Sequence, residues 1–587
     1  MKSSESYMPE PQAQVYEFGQ FRVDTAKRLL FTRGGQALPL TPKAFDTLLY
    51  MLEHRERVLK KEELMKAIWP ERVVEENNLN QNISLLRRVL GESKSEHQYI
   101  VTVPGRGYRF VAEVQTRSTP PEKPAPTVPA IAVLPFQPLV AEHRDLALEL
   151  GMADTLIARL SGIRQIIVRP IGSVRKYADV DQDPLLAGRE LGVESVLEGS
   201  IQRWGDSIRV TVRLMAVSTG AAMWTGTFDE KFSDIFAVQD AIAERVAAAL
   251  AAQLGYEEKQ RLGRRHTVSA EVYELYLKGR FHLVRLTPPE MQTAIGYFQR
   301  AIALDPSYAQ AYLGLANALF RLPLAAELRP IKHYPKAKEA AQKALDIDGT
   351  LAEGHAILGL IMFWYEWNWS VSESHFKQAL ARDPNDAESH LGYAHLLSNT
   401  GRHLEALAEV KRARELNPLY LVANALESQF LLHAGRPDEA LAKLNQTVAL
   451  DALFWLTHLY YSSVYLESGR FAEAVAAANE AQRLSGGSAH AMAAGACALI
   501  KLGRRKEART VLDELLKLSS QKYVPPYALA LVYNALDEPE QAYAWLARGI
   551  DEKDPRVTFV KVEPKWNNLR ATPEFIDIMR RVGFSDA

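Results

Sequence analysis

Cysteine is almost missing from this chain: Cys497 is the single one in 587 residues. That excludes an internal disulfide framework and any multi-cysteine zinc site. Its setting, Ala489 to Cys497, is small and apolar, so the expectation is a buried, inert thiol. Long apolar runs are missing too. None approaches the roughly 18 residues of a membrane-spanning helix, and the most Ala-rich stretch, 241–254, is broken by Glu244 and Arg245. The start, MKSSESYMPEPQ, has no apolar core and does not read as a signal peptide. These absences predict a cytoplasmic chain with no membrane partner. Phosphate-binding glycine loops are absent from the segment that holds glycines 151, 162, 172 and 188. The 14 histidines give no zinc-ligand spacing at His390 and His395 or at His54 and His97. Asp229 and Asp234, flanking a loop beside Lys231, read as turn residues rather than metal ligands. No cofactor, metal or catalytic residue is expected.

A large charge of either sign is lacking as well, with net charge −1 and pI near 7.0. The whole chain therefore announces no polyanionic partner. Between Gln14 and Val114, however, 16 Lys/Arg stand against 13 Asp/Glu, a balance of +3 that leaves −4 elsewhere. Contact with nucleic acid has to come from local placement of charge. A length of 587 residues predicts several domains.

One stretch, from Asn77 to Val111, organises the reading. Leu79, Ile83, Leu86 and Leu90 recur at helical spacing, which sets one buried face. The opposite face collects Asn77, Asn80, Gln81, Ser84, Arg87 and Arg88. Asn and Gln can pair bidentately with adenine, and Arg with guanine or phosphate; the plainer reading is a solvated face. The next dozen residues favour base reading. Residues 99–103 alternate as a strand, Pro104-Gly105-Arg106-Gly107 turns, and Tyr108-Arg109-Phe110-Val111 returns. A polar, basic helix leading into a hairpin with a basic tip is the plan of a winged helix-turn-helix.

These residues resemble the OmpR-like winged-helix family of bacterial response regulators, and more closely its CadC-like one-component relatives. The match lies in Ile83–Gly91 (ISLLRRVLG) and in Thr102–Phe110 (TVPGRGYRF). Leu40-Thr41-Pro42-Lys43-Ala44-Phe45 matches the entry to the family's first helix and Lys61-Glu62-Glu63-Leu64 the entry to its second. The resemblance implies an N-terminal antiparallel sheet (here 15–40, turning at Arg33-Gly34-Gly35-Gln36) ahead of three helices. Thr41 would cap the first helix, whose buried face is Phe45, Leu48, Leu49 and Leu52; the second would stop at Pro70 after Trp69. Lys60 and Lys61, beside the second helix's N-terminal amides, are candidates for a phosphate. Thr102 and Arg106 belong to the wing, with Arg106 near the minor groove or a flanking phosphate. Many relatives carry basic residues where Leu85 and Pro104 stand here, so the base preference does not carry over. The CadC-like relatives also have a membrane-spanning helix after the wing, which this chain lacks.

Domain boundaries come from composition. Residues 1–13 read as disordered, 14–114 as the winged-helix domain, and 115–129 as a Pro-rich linker. Residues 130–255 mix strands and helices and resemble the TolB-like amino-terminal domain through IAVLPF, LGVESVLEGSI, IRVTVRL, MWTGTFD and DIFAVQD. From 265 to 554 the chain repeats. Gly401, Gly435, Gly469 and Gly503 stand 34 residues apart, each followed by Arg, and Ala406, Ala440, Ala474, Ala508 and Ala542 keep the same step. A 34-residue period of paired amphipathic helices is the tetratricopeptide signature. The motif at 301–306 recurs at 344–348 after 43 residues, which predicts an inserted loop near 322–334. The aromatic run 362–369 reads as packing at a helix–helix turn, and 555–587 as a C-terminal cap ending in an amphipathic helix.

The fold class is therefore multidomain, α/β plus all-α: a winged helix, a mixed α/β domain and a tetratricopeptide superhelix. The function is a sequence-specific DNA-binding transcriptional regulator. Its partners would be double-stranded promoter DNA, a protein or peptide on the repeat surface, RNA polymerase, and a second copy on DNA. A repeat scaffold using the winged helix as a protein-contact module is the alternative. A nucleotide cyclase is disfavoured, because no segment remains for its catalytic domain.

Overall fold

The computed structural model describes residues 14–25, 29–32, 37–38, 40, 42–68, 76–92, 98–118, 128–138, 144–178, 183–250 and 268–584. They form two compact units, divided between Thr127 and Val128. The expectations placed on Thr41, Arg33–Gln36, Trp69, Pro70, residues 1–13 and most of the linker fall outside the described residues.

In the first unit, β1 (Gln14–Phe18), β2 (Phe21–Asp24), β3 (Leu29–Thr32) and β4 (Ala37–Leu38) precede α1 (Pro42–Glu53), α2 (Lys61–Ile68) and α3 (Glu76–Val89). Then come β5 (Ile100–Val103), β6 (Gly107–Phe110) and β7 (Gln115–Ser118). The sheet order is β4-β3-β2-β1-β7, every pair antiparallel. The start of the expected linker is thus a strand, since Gln115–Ser118 pairs with β1 along the register Gln14↔Ser118 to Glu17↔Gln115. Helical and strand periodicities meet in one core: Phe18 and Val23 from the sheet, Phe45, Leu48 and Leu52 from α1, and Leu79, Ile83 and Leu86 from α3. Each such side chain contributes about 1.5–3 kcal/mol on burial.

The second unit opens with β8 (Ala130–Val133), β9 (Gln137–Pro138), α4 (Leu146–Ser161), β10 (Ile167–Val168), α5 (Ile171–Val174) and α6 (Pro184–Glu190). β11 (Ser195–Trp204), β12 (Ser207–Ala216), β13 (Ala222–Lys231) and α7 (Ile235–Ala249) complete its α/β part. The sheet runs β10-β8-β11-β12-β13, parallel in its first half and antiparallel in its second. Asp229 is not in a turn as expected. It lies on β13, paired 2.5 Å from Arg209 of β12. Asp234 sits at the N-terminus of α7.

Eight helical pairs come next among the described residues, from Ala270–Leu283 with Pro288–Leu304 to Pro526–Ala535 with Pro539–Asp551. Ala406, Ala440, Ala474, Ala508 and Ala542 are all fully buried, so the second helix of each pair packs close on the first. The turn between paired helices needs a left-handed residue (φ 72–90° at Gly401, Gly435, Gly469 and Gly503). The arginine after each of these glycines pairs with a glutamate three residues on, as in Arg402–Glu405 at 2.7 Å and Arg436–Glu439 at 2.6 Å. The insertion is not a loop. Helix Ala309–Ala326 runs on through Pro323 and is followed by a short helical turn at Pro330–Lys332. Glu327 accepts from the amide of Ala489 at 3.0 Å, and Arg329 donates to Glu552 at 3.1 Å. The second pair therefore touches the seventh and eighth.

The last segment, expected as a cap, lies against the first helices of several pairs. Asn399 donates to Thr558 (3.1 Å), Lys565 to Ser463 (3.4 Å), Asn534 to the Lys565 carbonyl (2.7 Å) and Trp566 to Tyr527 (2.9 Å). Its helix Pro573–Arg581 does form, and beyond it Phe584 stacks on Trp369. The aromatic run is packed as expected, with Phe363 fully buried and Trp364 edge-on to Phe559. Cys497 is buried, and loss of hydration pushes its thiol up to about 11. No helix among the described residues is long and apolar enough to cross a membrane.

Candidate nucleic-acid interface

The wing is set by backbone geometry. Val103-Pro104-Gly105-Arg106 closes with Arg106 N donating to Val103 O at 3.0 Å, Gly105 taking φ +71°. Proline at the second position and a left-handed glycine at the third define a type II turn. Gly107 (φ +139°) lies so close to Leu59 that a Cβ would sit 2.0 Å from the Leu59 carbonyl oxygen. That approach lets Leu59 exchange two backbone hydrogen bonds with Tyr108, 2.8 and 3.0 Å. The loop between α1 and α2 thus acts as a short third strand on β6 and fixes the wing.

The polar face of α3 splits into two rows. Gln81, Ser84 and Arg88 are exposed, and the same spacing carries the row back to Asn77, whose side chain lies outside the described residues. Asn80 and Arg87 lie on the flank towards the wing and are engaged. The Tyr108 hydroxyl donates 2.7 Å to Asn80 Oδ1. Arg87 Nη2 donates to the Ile100 carbonyl (2.9 Å) and to Thr102 Oγ1 (2.8 Å), and its Nε lies 3.6 Å from Glu92. Glu92 in turn accepts from the amides of Tyr99 and Ile100. The face that a helical wheel presents as uniform is therefore half exposed surface and half joint between helix and wing.

Thr102 and Arg106 are exposed on the wing. Arg109, absent from the residues predicted by sequence, is exposed too. It stands opposite Val101 on β6 between the buried Tyr108 and Phe110, so strand alternation was the signal that could have found it. Asn78 is exposed at the start of α3.

Lys60 is exposed and Lys61 half-buried at the start of α2. The first turn of α2 already holds Glu62 and Glu63. Glu63 accepts from Arg57 (2.9 Å) and from Tyr50 (3.1 Å), and the Arg57 hydrogen bonds hold its carboxyl at about 2. An acidic first turn satisfies the helix dipole from within. Lys60 is the more exposed of the two lysines.

Residues 35–110 match the family of the C-terminal domain of transcriptional regulatory proteins, and residues 127–245 match the HilA/YgeH-like transcriptional regulator second domain, the segment with the TolB-like resemblance. Tetratricopeptide models match 291–349, 375–408 and 430–489. The transcriptional regulator HilA of Salmonella typhi is 25% identical over 390 residues, 66% of this chain and 68% of that one. The transcriptional activator CadC of Escherichia coli (strain K12) is 34% identical over 84 residues, 14% of this chain and 16% of that one. A putative adenylate cyclase 3 of Rhizobium meliloti (strain 1021) is 30% identical over 246 residues, and the alignment spans 42% of either chain. Among solved structures, the E. coli CadC DNA-binding domain shares 30% identity, covering 18% of this chain and 98% of that one, with a TM-score of 0.17. The chain thus carries a winged helix of the transcriptional-regulator type, a HilA-like second domain and tetratricopeptide repeats in that order, and in this domain content it is similar to CadC/OmpR-like regulators.

Proposed function

We propose that this chain controls transcription by reading a specific duplex sequence with the outer row of α3. Gln81, Ser84 and Arg88, continued by Asn77, face base edges in the major groove. Arg106 and Arg109 neutralise phosphate or enter the flanking minor groove, and Lys60 adds a phosphate contact. The observation that carries this reading is the exposed, acid-free row on α3 beside a wing whose turn presents an arginine. Base readout needs bidentate donors and acceptors at a groove-facing surface, and phosphate contacts supply affinity without sequence preference.

The test is binding of the full chain to duplexes selected from a random pool by the wild type. Arg106→Ala should weaken binding alike on selected and unselected duplexes and reduce the salt slope by about one. Gln81→Ala and Arg88→Ala should lose discrimination, by about 1–3 kcal/mol for a bidentate contact. Binding that stays unchanged in all three variants would refute the assignment.

A further inference from the structure

The middle-domain sheet ends in a strand with nothing beside it. β13 pairs with β12 alone, and its far edge meets no other strand among the described residues. The direction of its free groups is set by the hairpin before it. Trp204 and Ser207 close a two-residue turn, and Phe232 N donates to Asp206 O. Alternation then points the backbone of Val210, Val212 and Leu214 at Phe228, Gly226 and Trp224. The amides and carbonyls of Thr225, Thr227 and Asp229 point outward, and no backbone partner for them is found among the described residues. The strand is 10 residues long and contains no proline, and its register on β12 is regular from Trp224 to Lys231, with one bulge at Met223 near its start. Natural edges are usually short, bulged, charged along their length or covered, because an open edge templates pairing.

We propose that β13 is a homodimer interface, in which two copies pair antiparallel about Gly226 and join their sheets into one. The chemistry of the strand sets the register. Its charges, Asp229, Glu230 and Lys231, all lie at one end. A parallel in-register pairing would set Asp229 beside Asp229 and Glu230 beside Glu230. The antiparallel pairing about Gly226 sets the charged end of each copy against the uncharged start of the other, Ala222 and the bulged Met223, with no like charges facing. It also makes Thr225 and Thr227 of opposite copies a hydrogen-bonded pair, using the outward groups. Trp224 then faces Phe228 of the other copy in a non-hydrogen-bonded pair, where side chains come closest.

Both aromatics pack on the domain core yet stay half-exposed, because no further strand covers them. The Trp224 ring lies over Gly226, where a Cβ would meet it at 2.6 Å. A glycine on the two-fold axis leaves room for two such rings. On the edge strand Asp229 is already held by Arg209 of β12.

The test is the mass of the full chain across the micromolar range by sedimentation, with the monomer at 65.7 kDa. The expected result is a concentration-dependent doubling of mass. A chain carrying both Thr225→Lys and Thr227→Lys, two exposed positions that would face each other across the axis, should keep its circular dichroism and melting temperature and stay monomeric. A chain carrying Thr225→Cys and Thr227→Cys should form a covalent dimer on mild oxidation, with peptide mapping joining 225 of one copy to 227 of the other. A wild type that is monomeric throughout, a dimer that survives the lysine pair, or cross-links in any other register would overturn the proposal.

Discussion

The Tyr108 hydroxyl donates to Asn80 Oδ1 at 2.7 Å, tying the returning strand of the wing to the middle of the polar face of α3. The two elements that the proposed function brings to DNA are held at a fixed angle by this bond and by the Arg87 fork farther along the helix. Tyr108→Phe and Asn80→Ala should each cost about 1 kcal/mol of stability in the first unit. A double-mutant cycle in thermal melts should show the two losses to be non-additive. DNA affinity should fall with no change in base preference, because the bond positions and does not read.

Arg87 and Arg88 should behave oppositely. Arg87 makes two donations into β5 beside a Glu92 side chain with no exposed surface, whereas Arg88 is exposed. Arg87→Ala should lower stability by about 1–3 kcal/mol, since it strips the cation from a buried carboxylate. Arg87→Lys should rescue little, because one ammonium cannot replace the fork. Arg88→Ala should leave stability within the roughly 0.5 kcal/mol typical of surface sites and alter binding alone. Equal melts for the two variants would show that Arg87 is no joint.

The two wing glycines differ in what they permit. Nothing stands within 4 Å of the Cβ that Gly105 lacks, so Gly105→Ala meets only its left-handed φ, at a cost of about 1–2 kcal/mol. At Gly107 the same change drives a methyl into the Leu59 carbonyl and breaks the bridge to Tyr108. Gly107→Ala should be the more damaging by melting temperature. It should also raise amide exchange at Leu59 and Tyr108 while leaving the second unit unchanged.

The range of each signal explains why some of this was legible and some not. Period-3.6 and period-2 patterns are local, so the α3 core, the wing strands and the repeat helices could be read directly. The 34-residue glycine step exposed four of the left-handed turns. Four more take the same conformation with Leu286, Glu327, Trp367 and Asp537 (φ 47–60°), residue types that carry no such signal. Which side of α3 is engaged depends on Tyr108 and Ile100, which stand 28 and 13 residues from their partners in sequence. Nothing periodic marks 555–584 as an inner lining, because its partners lie up to 214 residues away, as in the Trp369 donation to the Gly583 carbonyl at 2.9 Å.

That lining should bear much of the array's stability. Trp566 is fully buried and donates to Tyr527, and Val557 and Phe575 are fully buried too. Trp566→Ala should cost about 3–5 kcal/mol through the cavity it leaves. Because 555–584 touches first helices from several pairs up to the eighth, the loss should appear as one cooperative transition of the second unit. A variant in which only the last pair frays, seen by limited proteolysis, would return the segment to the status of a terminal cap.

The inner lining also makes the array sensitive to acid. His395 packs against Phe363, Trp364, Phe430 and Phe559, and loss of hydration, with His433 adding to it, lowers its imidazole from 6.5 to about 3. Burial likewise lowers His433 to about 4 and His490 to about 3. A folded pKa below the unfolded one means that the unfolded chain takes up the extra proton. Stability is then fully present above about pH 6.5 and declines as pH falls towards the folded values. Each such histidine steepens the decline by about 1.4 kcal/mol per pH unit. Melting temperatures of the wild type should therefore drop steadily below neutral pH. His395→Phe, which keeps an aromatic ring in an aromatic pocket, should show a shallower acid limb and an equal or higher neutral melt. Parallel acid limbs for the two proteins would mean that His395 is charged in the folded state and that the inner lining is wetter than its contacts imply.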